Sequence, residues 1–208
     1  MKQADPGWTQ PELRALARLG TPRKIQDFLD SIPYSSEDRY RSPRSVLRER
    51  VAHCYDGALF AAAALRQAGH PPLLVNMYAE RDDEHLLALF KQAAHWGAVA
   101  KSNFVGLRYR DPVYRTLREL VMSYFQDYFN VEGKKTLRAY TRPLNLARFD
   151  RLSWTTSDTQ LDTVAAALDK LERIAVLTRT TRTALAHVDE RSYRAGMMGT
   201  DAAGLYKL

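Results

Sequence analysis

The chain has 208 residues, with 31 Lys plus Arg against 24 Asp plus Glu, so its formal net charge is 31 − 24 = +7. Hydrophobic residues make up 45% and charged ones 26%, the balance of an ordinary globular domain, which excludes disorder over most of the length. A single cysteine excludes an intramolecular disulfide framework and a cysteine-based zinc cage, and points to a reducing, cytoplasmic setting.

No run of about 18 uncharged apolar residues is present, so a membrane-spanning helix is not expected. Residues Met1 to Gly20 include Asp5, Glu12, Arg14 and Arg18 and no apolar stretch, which argues against a secretory signal. The basic surplus is greatest over residues 101–151, with eleven Lys/Arg against five Asp/Glu. A local excess of that size fits a solvated surface better than a nucleic-acid groove.

In chain order, a short helix is predicted from Pro11 to Leu19. A second opens at Pro22 with Thr21 as its cap, carries Ile25, Phe28 and Leu29, and stops before Pro33. Residues 34–50 are polar and arginine-rich and read as a loop plus a short helix. The segment from Cys54 to Ala68, with Ala61 to Ala64 in a row, reads as a buried helix closed by Gly69 and His70-Pro71-Pro72.

Three apolar runs follow: Leu73 to Tyr78, His85 to Phe90, and Trp96 to Val105. The charged turn from Glu80 to Glu84 divides the first two, and the set reads as antiparallel strands. A helix is then expected with Asp111 as cap, Pro112 in first position, and Val113, Leu117, Leu120, Val121, Tyr124 and Tyr128 on one face. Residues 134–156 read as loop. A last helix is expected from a Ser157/Gln160 capping box through Leu161, Val164 and Leu168, and residues after Gly196 as weakly ordered.

Chemistry concentrates at Cys54. A thiol in the first turn of a helix meets unpaired N–H groups and the positive end of the helix dipole, which favour the thiolate. A base must come from a neighbouring element, and His85 opens the strand expected to lie beside that helix. Cys and His so placed form the pair used in acyl transfer. The third member, which orients the imidazole, is sought on the next strand, where Ser102 and Asn103 are candidates. Asn103 is favoured over Asp111, whose place before Pro112 is already explained as a cap. The plain alternatives are a small buried Cys54, a His85 held by Asp82 or Asp83, and an Asn103 amide serving its own turn. His53 reads as structural or part of a cleft rim. Lys101, Arg108 and Arg110 read as solvated rather than substrate-binding.

The order helix-Cys, strand-His, strand-Asp/Asn resembles the transglutaminase-like superfamily, relatives of papain-like proteases. Ala52-His53-Cys54-Tyr55-Asp56-Gly57 through Gly69-His70-Pro71-Pro72 resembles that family's nucleophile helix. Asp83-Glu84-His85-Leu86-Leu87-Ala88-Leu89-Phe90 resembles its histidine strand, and Trp96 through Asn103 its third strand. The resemblance implies Cys54 as nucleophile, His85 as base and acid, and Asn103 as orienting group. It departs where most members place an aspartate, since Ala100, Lys101 and Ser102 stand there.

The expected fold is therefore α+β: a transglutaminase-like core with a buried nucleophile helix on an antiparallel sheet, plus further helices toward the C-terminus. The expected division is an extension over 1–20, the core over 21–150 and a helical extension over 151–208. The expected activity is acyl transfer or amide hydrolysis through a thioester on Cys54, acting on a peptide or protein-like amide. The alternative is a degenerate scaffold of the same fold that binds a peptide or protein. No cofactor and no metal are expected, because the five histidines show no ligand spacing and no phosphate loop is present. Nucleic acid and membrane are disfavoured as partners, and the stripe of the last helix suits either the core or a second copy of the chain.

Overall fold

The computed structural model describes residues 7–207, so residues 1–6 of the expected extension, and Leu208, lie outside the described part. Its organising element is α4, Cys54–Gln67, in which every residue from Tyr55 to Leu65 is buried. Alanine favours helix and keeps the cylinder thin, so neighbours approach on several sides. The helix ends as expected: Gly69 adopts a positive φ of 96°, its N–H donates to the Arg66 carbonyl, and the His70 N–H donates to the Leu65 carbonyl. That pair of bonds is a Schellman close.

α4 lies on one face of a seven-stranded sheet whose main order is β4-β3-β2-β1-β5-β7, with β6 paired to β1. The strands are β1 Leu73–Ala79, β2 His85–Gln92, β3 His95–Val99, β4 Arg110–Tyr114, β5 Leu137–Thr141, β6 Leu144–Asn145 and β7 Arg173–Ala175. All of these pairings are antiparallel. Alternation along β1 and β2 divides the interior in two. Leu74, Leu86, Ala88 and Phe90 join α4 in one core. Val75, Met77, Leu87 and Leu89 join Leu120, Val121, Tyr124 and Tyr128 in the other. The fold is α+β, with a buried helix on an antiparallel sheet.

The short helices surround α4. They are α1 Gln10–Arg18, α2 Pro22–Asp30 and α3 Pro43–Glu49, each with a Pro at its start and a side-chain cap, from Thr9, Thr21 and Ser42 respectively. The core around α4 takes side chains from all three stretches into which the sequence was divided: Trp8 and Leu16, the central residues, and Leu161, Val164 and Leu168.

Four expectations are corrected. Residues 110–114 form β4 rather than a helix begun by Asp111 and Pro112. β4 ends the strand order, and an edge strand accommodates a residue that has no N–H to donate. The helix that follows, α5 Leu117–Met122, is capped by Thr116 with Glu119 completing the capping box. Residues 134–156, expected as loop, contain β5 and β6. The last expected helix, α6 Leu161–Asp169, has no side-chain cap, because Ser157 turns its hydroxyl to Thr159. After Gly196 the chain is structured: α8 Glu190–Met197 is followed by a 3₁₀ turn, Ala202–Gly204, with α7 Arg179–Thr183 preceding both. No helix among the described residues is long and apolar enough to cross a membrane.

Candidate active site

Cys54 is the first residue of α4, and the residue before it caps the helix. His53 Nδ1 accepts from the N–H groups of Tyr55 and Asp56 at 3.1 and 3.3 Å, while its Nε2 lies 3.0 Å from the Arg39 carbonyl oxygen. Asp56 answers by accepting from the His53 N–H. Arg41, itself buried, holds Asp56 from behind, through its backbone N–H at 2.7 Å and its guanidinium at 3.4 Å. The helix start is thus fixed by four residues, and the Asp56 carboxylate is spent on that task.

Cys54 lines two neighbouring spaces that share Tyr34, Asp83, Glu84 and Gly204. The larger is a groove of about 540 Å³ whose lining includes Tyr34, Tyr40, Asn76, Glu84 and Leu168. The smaller, about 20 Å³, brings together Cys54, His85, Ser102, Asn103, Leu107 and Tyr128. Cys54 Sγ lies 3.8 Å from the Glu84 carbonyl oxygen, immediately before His85. The sulfur therefore meets the histidine strand at its first residue. By alternation His85 goes with Leu87 and Leu89, on the face away from α4, and the two residues share the lining of the smaller cavity at the end of β2.

The imidazole is buried and its Nε2 lies 2.7 Å from the Leu107 carbonyl oxygen. A carbonyl only accepts, so Nε2 carries the hydrogen and Nδ1 is the basic nitrogen. This corrects the expectation for Asn103. Its amide is committed elsewhere: Nδ2 donates to the Asp201 carbonyl at 2.9 Å and Oδ1 accepts from the Asp201 N–H at 2.8 Å. Ser102 accepts from the Phe104 N–H, and Asp111 is exposed on β4. The hydrogen-bond partner of the His85 ring is thus the backbone carbonyl of Leu107 rather than a side chain.

Electrostatics depart from the sequence reading too. Burial pushes the Cys54 thiol up to about 12, with Asp83 and Asp56 adding to it. Hydrogen bonds from the Tyr55 N–H and the Tyr34 hydroxyl oppose that rise without overcoming it. Burial pushes His85 down to about 4, and Arg110 acts in the same direction. At neutral pH both groups are uncharged. The helix start alone does not yield a thiolate here, because desolvation of the sulfur outweighs the dipole.

Two features had no signal in the sequence. Tyr34 follows Ile32-Pro33, and its hydroxyl meets both the thiol and the backbone N–H of Cys54. Asn76 is buried on β1 with its Nδ2 on Glu84 at 2.5 Å, while its Oδ1 has no partner. Lys101, read as solvated, is buried and donates to the Leu29 and Ile32 carbonyls at 2.9 and 2.6 Å. It closes α2 rather than facing a ligand. Among the described residues no group of three or more His, Cys, Asp or Glu could hold a metal ion.

No family model matches the chain, and no curated protein matches it. Among solved structures it is similar to Legionella pneumophila LapG in an EGTA-treated form, at 18% identity and a TM-score of 0.33, over 43% of this chain and 56% of that one. A second Legionella pneumophila LapG structure overlaps at 13% identity and a TM-score of 0.37, over 75% of this chain and 80% of that one. Overlaps of that order identify neither a family nor an activity.

Proposed function

We propose that the protein is a cysteine-dependent acyl-transfer or amide-hydrolysing enzyme with a transglutaminase-like core, acting on a peptide or protein amide. The observation that supports this reading is that Cys54, at the start of a buried helix, and His85, with its Nε2 committed to a carbonyl, border one cavity.

In this mechanism His85 Nδ1 takes the thiol proton as Cys54 Sγ attacks the substrate carbonyl carbon, forming the C–S bond. The oxyanion is received by the Cys54 backbone N–H and the Tyr34 hydroxyl. Collapse breaks the C–N bond, and the amine leaves with the proton from His85. Water or a second amine then gives its proton to His85 and attacks the thioester. That releases an acid or a new amide and restores the thiol. Because the resting pair is neutral, substrate must arrive before charge separates.

The second reading is a scaffold that keeps the cleft and binds a peptide without turnover. The high thiol and low imidazole favour it. The two separate on one experiment: incubation with a denatured protein mixture and hydroxylamine, read by mass spectrometry for new termini and hydroxamates. The enzyme reading expects products from the wild type that fall by about a thousandfold or more in Cys54→Ala and in His85→Ala. If Cys54→Ala and wild type give the same spectrum, the scaffold reading stands.

A further inference from the structure

We propose that the Cys54 groove holds a segment of its own chain, Asp201–Lys207, as an intramolecular ligand, and that Asn103 is the residue that binds it. This rests on the groove being the working site but not on Cys54 turning over. Ala203 to Lys207 lie along the groove that contains Cys54, and Gly204 also borders the cavity shared by Cys54 and His85.

Three independent features make the contact a fitted one. Asn103 offers Asp201 a donor and an acceptor at once, at 2.9 and 2.8 Å, the pairing one peptide unit offers another across a sheet. At Gly204 a Cβ would come within 2.9 Å of the Tyr34 ring and 3.1 Å of Asn103 Nδ2, so the seat takes glycine and resists a side chain. The groove is acidic within a basic protein: Asp38, Asp83, Glu84 and Asp169 line it, and the segment brings Lys207. Helix α8 delivers the segment. Its Gly196 lies so close to the Phe129 ring that a Cβ would stand 2.4 Å away, and the Tyr193 hydroxyl donates to the Val131 carbonyl.

The conformation marks the segment as a blocker rather than as substrate. Peptides cut by cysteine enzymes lie extended so that one carbonyl is presented to sulfur, whereas Ala202–Gly204 form a 3₁₀ turn. Its own internal bond, from the Gly204 N–H to the Asp201 carbonyl, holds that turn shut. The segment therefore forms one wall of the groove at rest and narrows the approach to Cys54, so a peptide that needs the full width must displace it.

The test is the rate of Cys54 alkylation by iodoacetamide at pH 8.5 in the full-length protein. Gly204→Val expels the seat residue, and Asp201→Pro removes the N–H that Asn103 accepts. Asp201→Asn keeps the N–H and a side-chain acceptor for the turn. Both disruptive variants should label about tenfold faster or more, with Asp201→Asn at the wild-type rate. A synthetic peptide of residues 201–207, added to Gly204→Val, should slow labelling again. Wild-type rates in both disruptive variants overturn the proposal. So does faster labelling that the peptide fails to reverse, since cover would then be lost by general loosening. Labelling reads access together with the thiolate fraction, and neither requires that His85 and Cys54 catalyse, so these outcomes are separate from the enzyme reading.

Discussion

His85 Nε2 lies 2.7 Å from the carbonyl oxygen of Leu107, in the 3₁₀ turn Val105–Leu107 between β3 and β4. A carboxylate in that place would stabilise an imidazolium; a backbone carbonyl orients the ring but lends it no full charge. The pair thus fixes which nitrogen carries the hydrogen, while burial leaves the base weak. Nitrogen-detected NMR on the labelled protein should show His85 as a single tautomer protonated at Nε2 at pH 7, with a titration near pH 4. A ring that averages between tautomers would mean that the carbonyl does not hold it, and one that titrates near 6.5 would mean that it is not buried.

The same group sets a pH dependence of stability. Burial lowers His85 from 6.5 to about 4 in the folded chain, so between those values the unfolded chain binds the extra proton. Stability from this residue is complete above about pH 6.5 and falls as pH drops toward 4, by about 3 kcal/mol in all. Asp82 works the other way: burial raises it to about 6, so its unfavourable desolvation is relieved on acidification. Denaturant melts at pH 7 and pH 4.5 should show His85→Gln losing less stability on acidification than wild type, and Asp82→Asn losing more. Parallel curves for all three proteins would count against both assignments.

Gly57 sits in the second turn of α4, where a Cβ would stand 2.2 Å from the Lys101 Cβ. Alanine is the better helix former by about 1 kcal/mol, so propensity alone says that Gly57→Ala stabilises. The contact says the opposite. Lys101 cannot retreat, because its ammonium group is tied to the ends of two carbonyl bonds, and the residue before it is bonded in both directions to the Gln26 side chain. A net loss of about 2 kcal/mol or more is expected in chemical denaturation, along with displaced Lys101 and Gln26 resonances. A gain in stability would show that α4 and the end of β3 are looser than drawn.

The elements that could be read from the chain were those whose cause is local. Thr21-Pro22, the alanine run closed by Gly69, and the strand runs beginning at Leu73 and His85 all declare themselves within a few residues. What misled was Asp111-Pro112, where a cap-like dipeptide lies on an edge strand because pairing with β3 outweighs local preference. β5 was hidden because Arg138 and Ala139 interrupt its alternation. At the site, residue types were visible but their commitments were not. Asn103 spends its amide on Asp201, 98 positions away, and the partner of His85 is a carbonyl, which every residue has and no sequence reveals. The thiol was misjudged for a related reason: the helix start is local, whereas the burial that outweighs it comes from groups spread along the chain.

Arg41 is the most buried cation among the described residues, with a side chain only 1% exposed. It donates to Glu37 at 2.6 Å, Glu49 at 2.9 Å, Ser35 at 3.1 Å and Asp56 at 3.4 Å. Asp56 is itself fully buried, and burial already raises its pKa. Arg41→Met would fill much of the same volume but leave the Asp56 carboxylate without its counter-charge, at a cost of about 3–5 kcal/mol. Arg41→Lys would keep the charge yet lose the fork that reaches several acceptors at once, so an intermediate loss is expected. Because Asp56 also holds the His53 N–H, the damage should reach the start of α4. In Arg41→Met the backbone amides of Tyr55 and Asp56, which His53 caps, should exchange with deuterium faster than those at the far end of the helix. Uniform exchange along α4, or a double Arg41→Met/Asp56→Asn variant no more stable than the single one, would remove the buried ion pair as the anchor of the nucleophile turn.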